Sequence, residues 1–170
     1  MPTNYLLCVV GLFFCTCLFA QEVQIDSQLR PYLKDFFKSC KAYDIPYREK
    51  LFSLEHIDVV DTLSMAKEDA TLGRLIRNES GTVTAIAISW MAQIDPEILK
   101  IVAYHEFAHY FLEYDTHVCD DCNKIMAVYN TSYFDITRDW NNQVKILFEE
   151  SPIYQRKLNG LTASAGTNTP

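Results

Sequence analysis

The sequence predicts an α+β domain, in which a short mixed β-sheet packs on an N-terminal helix and on a central helix, with a further helix near the C-terminus. Three observations support this class. Apolar residues recur at helical spacing in three stretches, β-branched residues alternate with small ones in short runs between the first two stretches, and polar turn sequences separate these runs. A chain of 170 residues fits one such domain.

The first segment of the chain is predicted to lie outside this domain. Residues 6–20 read LLCVVGLFFCTCLFA and carry no charge. This length matches the apolar region of a secretory signal and is short for a membrane span, which needs about 20 residues. We therefore expect a signal peptide at residues 1–20, cleaved after Ala20 or Gln21, and a secreted or periplasmic protein without a stable membrane span after cleavage. The alternative is an uncleaved anchor.

The expected domain covers residues 21–157, and a small, polar C-terminal sequence predicts a disordered tail at residues 158–170. Signal removal leaves three cysteines, Cys40, Cys119 and Cys122. This odd number allows at most one intramolecular bridge, either within the Cys-x-x-Cys sequence or from one of its cysteines to Cys40. The hydrophobic core, rather than a set of disulfides, must then stabilise the domain.

The N-terminal helix is predicted over residues 28–42, where Pro31 falls in the first turn and its missing N–H costs nothing. Three strands follow. We place them at residues 56–63, 71–77 and 82–90, since β-branched and apolar residues are frequent there and the turn sequence NESG separates the last two.

The central helix is predicted from Pro96 to about Glu113. Asp95 can cap this helix, Pro96 suits its first position, and Glu97 faces the positive end of the helix dipole. Because the helix is apolar almost all round, we expect it to be buried. A polar loop follows, and a last helix is predicted over residues 137–150.

The central helix contains an HExxH motif, His105-Glu106-Phe107-Ala108-His109. Residues four apart on a helix lie on one face, so both imidazoles can reach one metal ion. Imidazole nitrogen suits Zn²⁺, at about 2.0–2.1 Å. Glu106 is displaced around the helix and could reach a zinc-bound water, take its proton and pass it to a leaving amine. The motif thus predicts zinc-dependent hydrolysis of peptide bonds, with Glu106 as the general base.

The order of motifs along the chain resembles the metzincin clan of zinc endopeptidases, and more closely the small secreted bacterial zincin-like metallopeptidases of matrixin-like type. In that pattern a Leu-Gly-Arg-type strand, an apolar edge strand ending near Trp, the HExxH helix and an Ile-Met sequence follow one another. The matching segments are Leu72-Gly73-Arg74, residues 82–90, His105 to His109 and Ile125-Met126. The similarity covers roughly residues 71–148, and it implies a zincin-like fold.

This resemblance implies three further roles. Met126 would lie in the turn beneath the metal, although a core methionine is an equally good interpretation. Tyr129 would stabilise an oxyanion. The strand at residues 82–90 would be an edge strand that binds an extended peptide by β-augmentation, although the pattern of Ile86 and Ile88 allows an internal strand equally well.

The chain departs from the metzincin pattern at the third metal ligand. Metzincins have a glycine three residues, and a third histidine six residues, after the second histidine, where this sequence has Leu112 and Asp115. The third ligand is therefore Asp115 or His117, which comes eight residues after His109. We favour His117 because imidazole is the commoner ligand, and Asp115 would then cap the loop or orient an imidazole. Glu149 in the last helix is a third candidate.

Charge and composition exclude other classes. The net charge is −7 and no block of Lys or Arg stands out, which argues against a nucleic-acid-binding protein. We predict a monomeric zinc metallopeptidase, an endopeptidase that acts on a peptide or protein substrate and binds Zn²⁺ through His105, His109 and His117. One alternative is an inactive zincin fold with structural metal or none. The other is a secreted binding or adhesion module in which the motif is accidental.

Overall fold

A computed structural model of the chain describes residues 22–61, 63, 71–129 and 132–165. The expected signal peptide and the last five residues of the expected tail lie outside this set. The described residues form a mixed structure of helices and a small mixed sheet, which is compatible with the predicted α+β class. Their elements, in chain order, are β1 (Gln24–Ile25), α1 (Arg30–Ala42), α2 (Arg48–Phe52), β2 (His56–Val60), β3 (Gly73–Arg77), β4 (Val83–Ser89), a 3-10 helix (Trp90–Ile94), α3 (Pro96–Phe111), β5 (Cys119–Asp121), β6 (Ala127–Tyr129), α4 (Tyr133–Arg138), α5 (Trp140–Glu149) and α6 (Pro152–Ala165).

Four of these strands form one mixed sheet in the spatial order β1-β2-β4-β3. β2 runs parallel to β1 and β4, whereas β3 runs antiparallel to β4, with Gly73 opposite Ile88. β4 is therefore internal, and residues 85–89 are all buried. The edge strand that the resemblance implies for residues 82–90 is therefore wrong, and the internal strand that the pattern of Ile86 and Ile88 equally allows is confirmed. Ile and Ala side chains cover both faces of this strand, which has neighbours on both sides. Among the described strands, β3 is the edge next to β4.

The sheet packs on a helical layer that centres on Phe36 of α1. This side chain is fully buried. Its ring centroid lies between 5.2 and 6.0 Å from those of four other aromatic residues, Tyr104, Phe107, Phe111 and Phe148. The cluster joins α1, α3 and α5, and α3 also contacts β3 and β4. The central helix is thus fixed between the aromatic cluster and the sheet.

The start of α3 confirms the predicted capping. The Asp95 carboxylate accepts a hydrogen bond of 2.8 Å from the Glu97 N–H, and Pro96 occupies the first turn. This cap satisfies a backbone donor that has no partner within the helix. Nine side chains of α3 are buried, as the apolar sequence predicts. Of the described helices, none is both long enough and apolar enough to cross a bilayer.

α3 ends at Phe111, two residues earlier than predicted. The chain turns at Glu113, which has a φ of 65°, in the left-handed region that glycine favours. Its carboxylate is held by Lys50 Nζ at 2.6 Å and by Arg156. The turn brings the loop back along the helix, so that the Tyr114 N–H donates to a carbonyl in the last turn of α3.

The C-terminal region differs most from the prediction. The single helix predicted over residues 137–150 is two helices, α4 and α5, since the helix stops at Arg138 and restarts at Trp140. The helix α6 then covers most of the expected disordered tail. That expectation is wrong for residues 158–165, which are helical, and residues 166–170 lie outside the described set.

A local cap and contacts distant in sequence together explain why α6 forms despite its small, polar residues. Pro152 suits the first helical position, and the Ser151 hydroxyl accepts a hydrogen bond from the Tyr154 N–H. Lys157 Nζ lies 2.7 Å from the Asp44 carboxylate and also donates to backbone carbonyls of that loop. These interactions hold α6 against the end of α1.

Candidate metal centre

Three imidazoles meet beside the central helix. His105 and His109 lie one turn apart on α3, and His117 comes from the loop that follows it. Nε2 of His105 is 3.1 Å from Nε2 of His109 and 3.1 Å from Nε2 of His117. The three nitrogens lie within 4.8 Å of one another. The structure therefore brings together the three residues that the sequence predicts as metal ligands.

Backbone hydrogen bonds determine which ring nitrogens face this meeting point. Nδ1 of His105 lies 2.7 Å from the Ile125 carbonyl oxygen, and Nδ1 of His109 bonds to the Tyr114 carbonyl oxygen. Because a carbonyl can only accept, Nδ1 carries the proton in each ring, and Nε2 of the neutral ring keeps its lone pair. Histidines that bind metals make this same outer hydrogen bond.

Burial keeps the His105 ring neutral. Desolvation lowers the pKa of His105 to about 4, and the neighbouring His109 and His117 add to this effect. Desolvation also lowers the pKa of His117. His105 is therefore uncharged at neutral pH, which is the protonation state that a metal ligand requires.

The donor set fits zinc. Two nitrogens bound to one tetrahedral Zn²⁺ at about 2.0–2.1 Å would be about 3.3 Å apart. The two observed Nε2–Nε2 distances of 3.1 Å are close to this value. The Nε2 lone pairs of His105 and His109 face each other at such a distance and repel, and a cation between them removes that repulsion. Three neutral imidazoles would leave one of the four zinc positions for water or substrate.

The loop that carries His117 is closed by a disulfide between Cys119 and Cys122. The structure thus answers which cysteines pair, since the third, Cys40, is a free thiol buried in the core. The loop returns to pair Cys119 with Ala127, in the two-stranded sheet of β5 and β6. His117 is exposed but comes just before this cross-linked turn, which limits the positions that it can reach.

The alternative carboxylate ligands lie elsewhere. Asp115 is exposed, and its charge acts on Lys50. Glu149 lies near the end of α5, where its charge raises the pKa of Tyr43. Within the described part of the chain, the one cluster suited to an ion consists of the three histidines and includes neither carboxylate.

Glu106 lies in the floor of a cleft beside the histidines. Its side chain is buried, and desolvation raises the pKa of its carboxyl to about 8. The cleft has a volume of about 620 Å³. Besides Glu106 and the three histidines, its lining residues are Thr71, Leu72, Gly73, Arg74, Leu75, Ile101, Val102, Ala127, Val128, Tyr129 and Tyr133.

The resemblance assigned roles to two further residues, Tyr129 and Met126, and they lie in different parts of the structure. Tyr129 lines the cleft, where an oxyanion stabiliser would have to be. Met126 is buried in the core, directly after Ile125, whose carbonyl holds His105. Tyr133 also lines the cleft and was not among the residues predicted from the sequence. With ten tyrosines in the chain, no sequence signal distinguishes Tyr133 from the others.

Comparison of the chain with protein-family models, with curated proteins and with solved structures finds no match.

In the metal-free protein, Glu106 should make stability fall as the pH rises. The pKa of its carboxyl is about 8 when folded and about 4.5 ordinarily, so between these values the folded state binds more protons. The stabilisation is complete below pH 4.5 and is lost as the pH rises through 8. The ionisation of His105 makes stability rise with pH, but only between its folded pKa of about 4 and its ordinary pKa of 6.5.

Urea unfolding of EDTA-treated protein between pH 6.5 and 8 isolates this effect. The free energy of unfolding should fall by up to about 1.4 kcal/mol for each pH unit. The variant Glu106→Gln, which has no proton to exchange, should have a flatter dependence. Equal slopes in the two proteins would contradict the protonation of the buried carboxyl.

Zinc binding should require His117 and not Asp115. Removal of one of three imidazoles should weaken binding by more than the roughly 10–100-fold that is typical of losing an outer-shell partner. Competition with a chromogenic chelator measures the affinity, and elemental analysis measures the zinc content. His117→Ala should lose zinc, whereas the neighbouring Asp115→Ala should keep it. The reverse result would make Asp115 the ligand.

Proposed function

We propose that this chain is a zinc-dependent peptidase, in which His105, His109 and His117 hold Zn²⁺ and Glu106 is the general base. The observation that carries this proposal is the convergence of three Nε2 atoms beside a buried carboxyl, in one cleft. A pair of core histidines beside a chance glutamate would not require a third imidazole from another segment to point at the same place.

The chemistry requires a proton carrier next to the attacked peptide bond. Zn²⁺ in this site would polarise the carbonyl and lower the pKa of a water to about 7. Glu106 accepts a proton from the water as its oxygen bonds to the carbonyl carbon, and returns it to the amide nitrogen as the C–N bond breaks. Burial raises the pKa of Glu106 to about 8 in the metal-free protein, and the charge of a bound zinc ion would lower it toward neutral pH, where one group can both accept and release a proton.

The edge strand β3 supplies a place for the substrate backbone. The Ser89 N–H donates to the Leu72 oxygen at 2.8 Å, so residues 72 and 89 form a hydrogen-bonded pair. Antiparallel pairs alternate, and the N–H and C=O of Gly73 therefore point away from β4. We propose that an extended peptide pairs with this edge above the cleft. The resemblance assigned peptide binding to residues 82–90, and in this proposal β3 has that role instead.

The proposal includes secretion, which rests on the uncharged segment at residues 6–20. The disulfide between Cys119 and Cys122 supports it, because such bonds persist in extracellular and periplasmic compartments.

The variant Glu106→Gln tests the proposed mechanism. The amide has nearly the shape of the carboxyl but cannot accept the proton, so kcat/KM should fall about 10²–10⁴-fold. Cleavage of an unfolded protein by zinc-loaded enzyme measures this loss, and elemental analysis should show unchanged zinc content.

Glu79→Gln is the matched control, since it makes the same chemical change in an exposed turn. It should leave both activity and zinc content unchanged. Full activity in zinc-loaded Glu106→Gln would exclude Glu106 as the base. A wild-type protein that binds zinc and cleaves no substrate would favour an inactive zincin fold, and one that binds no zinc would favour a binding module.

A further inference from the structure

Gly73, the first residue of β3, lies directly against the Glu106 side chain. A Cβ atom added to Gly73 would be 2.5 Å from both Cγ and Oε1 of Glu106, and 2.7 Å from Cδ. These distances are far inside the optimal carbon–carbon separation of about 3.5–4.0 Å. Any side chain at this position would therefore occupy the space that the carboxyl now fills.

Residue 73 must be glycine because a side chain has no room there, and not because of the backbone conformation. Among the described residues, the glycine with a positive φ is Gly81, at 84°, and an added Cβ there would meet nothing within 4 Å. Gly160 in α6 also has open space around its Cα. Gly73 has neither a positive φ nor open space, so its missing side chain accommodates Glu106.

The strand and the helix cannot easily move apart to relieve such a contact. Gly73 pairs with Ile88 of the internal strand β4, and the adjacent Leu72 oxygen accepts the hydrogen bond from Ser89. On the other side, α3 is held by the aromatic cluster around Phe36. The carboxyl of Glu106 is the group with freedom to yield, by turning into the cleft.

We propose that Gly73 is a positioning residue, which lets the edge strand lie in contact with the Glu106 carboxyl and so fixes this group beside a peptide bound along β3. This role rests on the proposed function. Both its own helix, α3, and the strand that binds the substrate, β3, then determine the position of the Glu106 side chain.

The variant Gly73→Ala tests this role in catalysis. A displaced carboxyl should lower kcat about 100-fold, the loss that a misplacement of about 1 Å can cause. KM should change much less, because the backbone groups of β3 that would bind the substrate remain, and zinc content should be unchanged. Gly160→Ala adds the same methyl group in open space and should change neither constant. An unchanged kcat in folded, zinc-loaded Gly73→Ala would overturn the proposal.

A second measurement tests the contact without any activity. Gly73→Ala should lower the urea midpoint of unfolding when Glu106 is present, because a buried carboxyl must move. In the variant Glu106→Ala the space is open, and adding Gly73→Ala should not lower the midpoint. Equal shifts in both backgrounds would show that Gly73 does not act through Glu106. If the wild-type protein cleaves no peptide, the proposed function fails. The comparison of unfolding midpoints would still show whether Gly73 and Glu106 are in contact.

Discussion

The candidate metal centre depends on two hydrogen bonds, from Nδ1 of His105 to the Ile125 carbonyl and from Nδ1 of His109 to the Tyr114 carbonyl. They fix the tautomer and the orientation of both rings, and thereby direct two lone pairs to one point. Both carbonyls belong to the chain after α3. The same segment that supplies His117 therefore also orients the two helical histidines, so the site forms only when this segment folds back.

The site requires polar groups to be buried within an apolar helix. Glu106 is almost completely buried, and the directions of the pKa shifts of Glu106 and His105 show that the charged form of each is disfavoured. Groups of this kind destabilise a fold unless other interactions offset them. Here the aromatic cluster around Phe36 packs on the side of α3 that faces away from the cleft. This packing holds the helix in place, while its other face lines the cleft.

Local signals made the central helix and its motif predictable, because the Asp95 cap and the spacing of His105 and His109 act within one or two turns. The position of His117 was less certain, since it depends on a left-handed turn at Glu113 that Lys50 and Arg156 support from distant parts of the chain. Distance in sequence also explains two of the differences between prediction and structure. The internal position of β4 is set by both of its neighbours, and α6 depends on contacts with the end of α1.

Anomalous diffraction at the zinc edge, from crystals of the protein grown with zinc, tests the account most directly. We predict one strong peak about 2.0–2.1 Å from the Nε2 atoms of His105, His109 and His117, with Glu106 beside it and not bound to it. A peak bound by Asp115 or Glu149 in place of His117 would contradict the ligand set. The absence of any peak between the three imidazoles would contradict the metal centre itself.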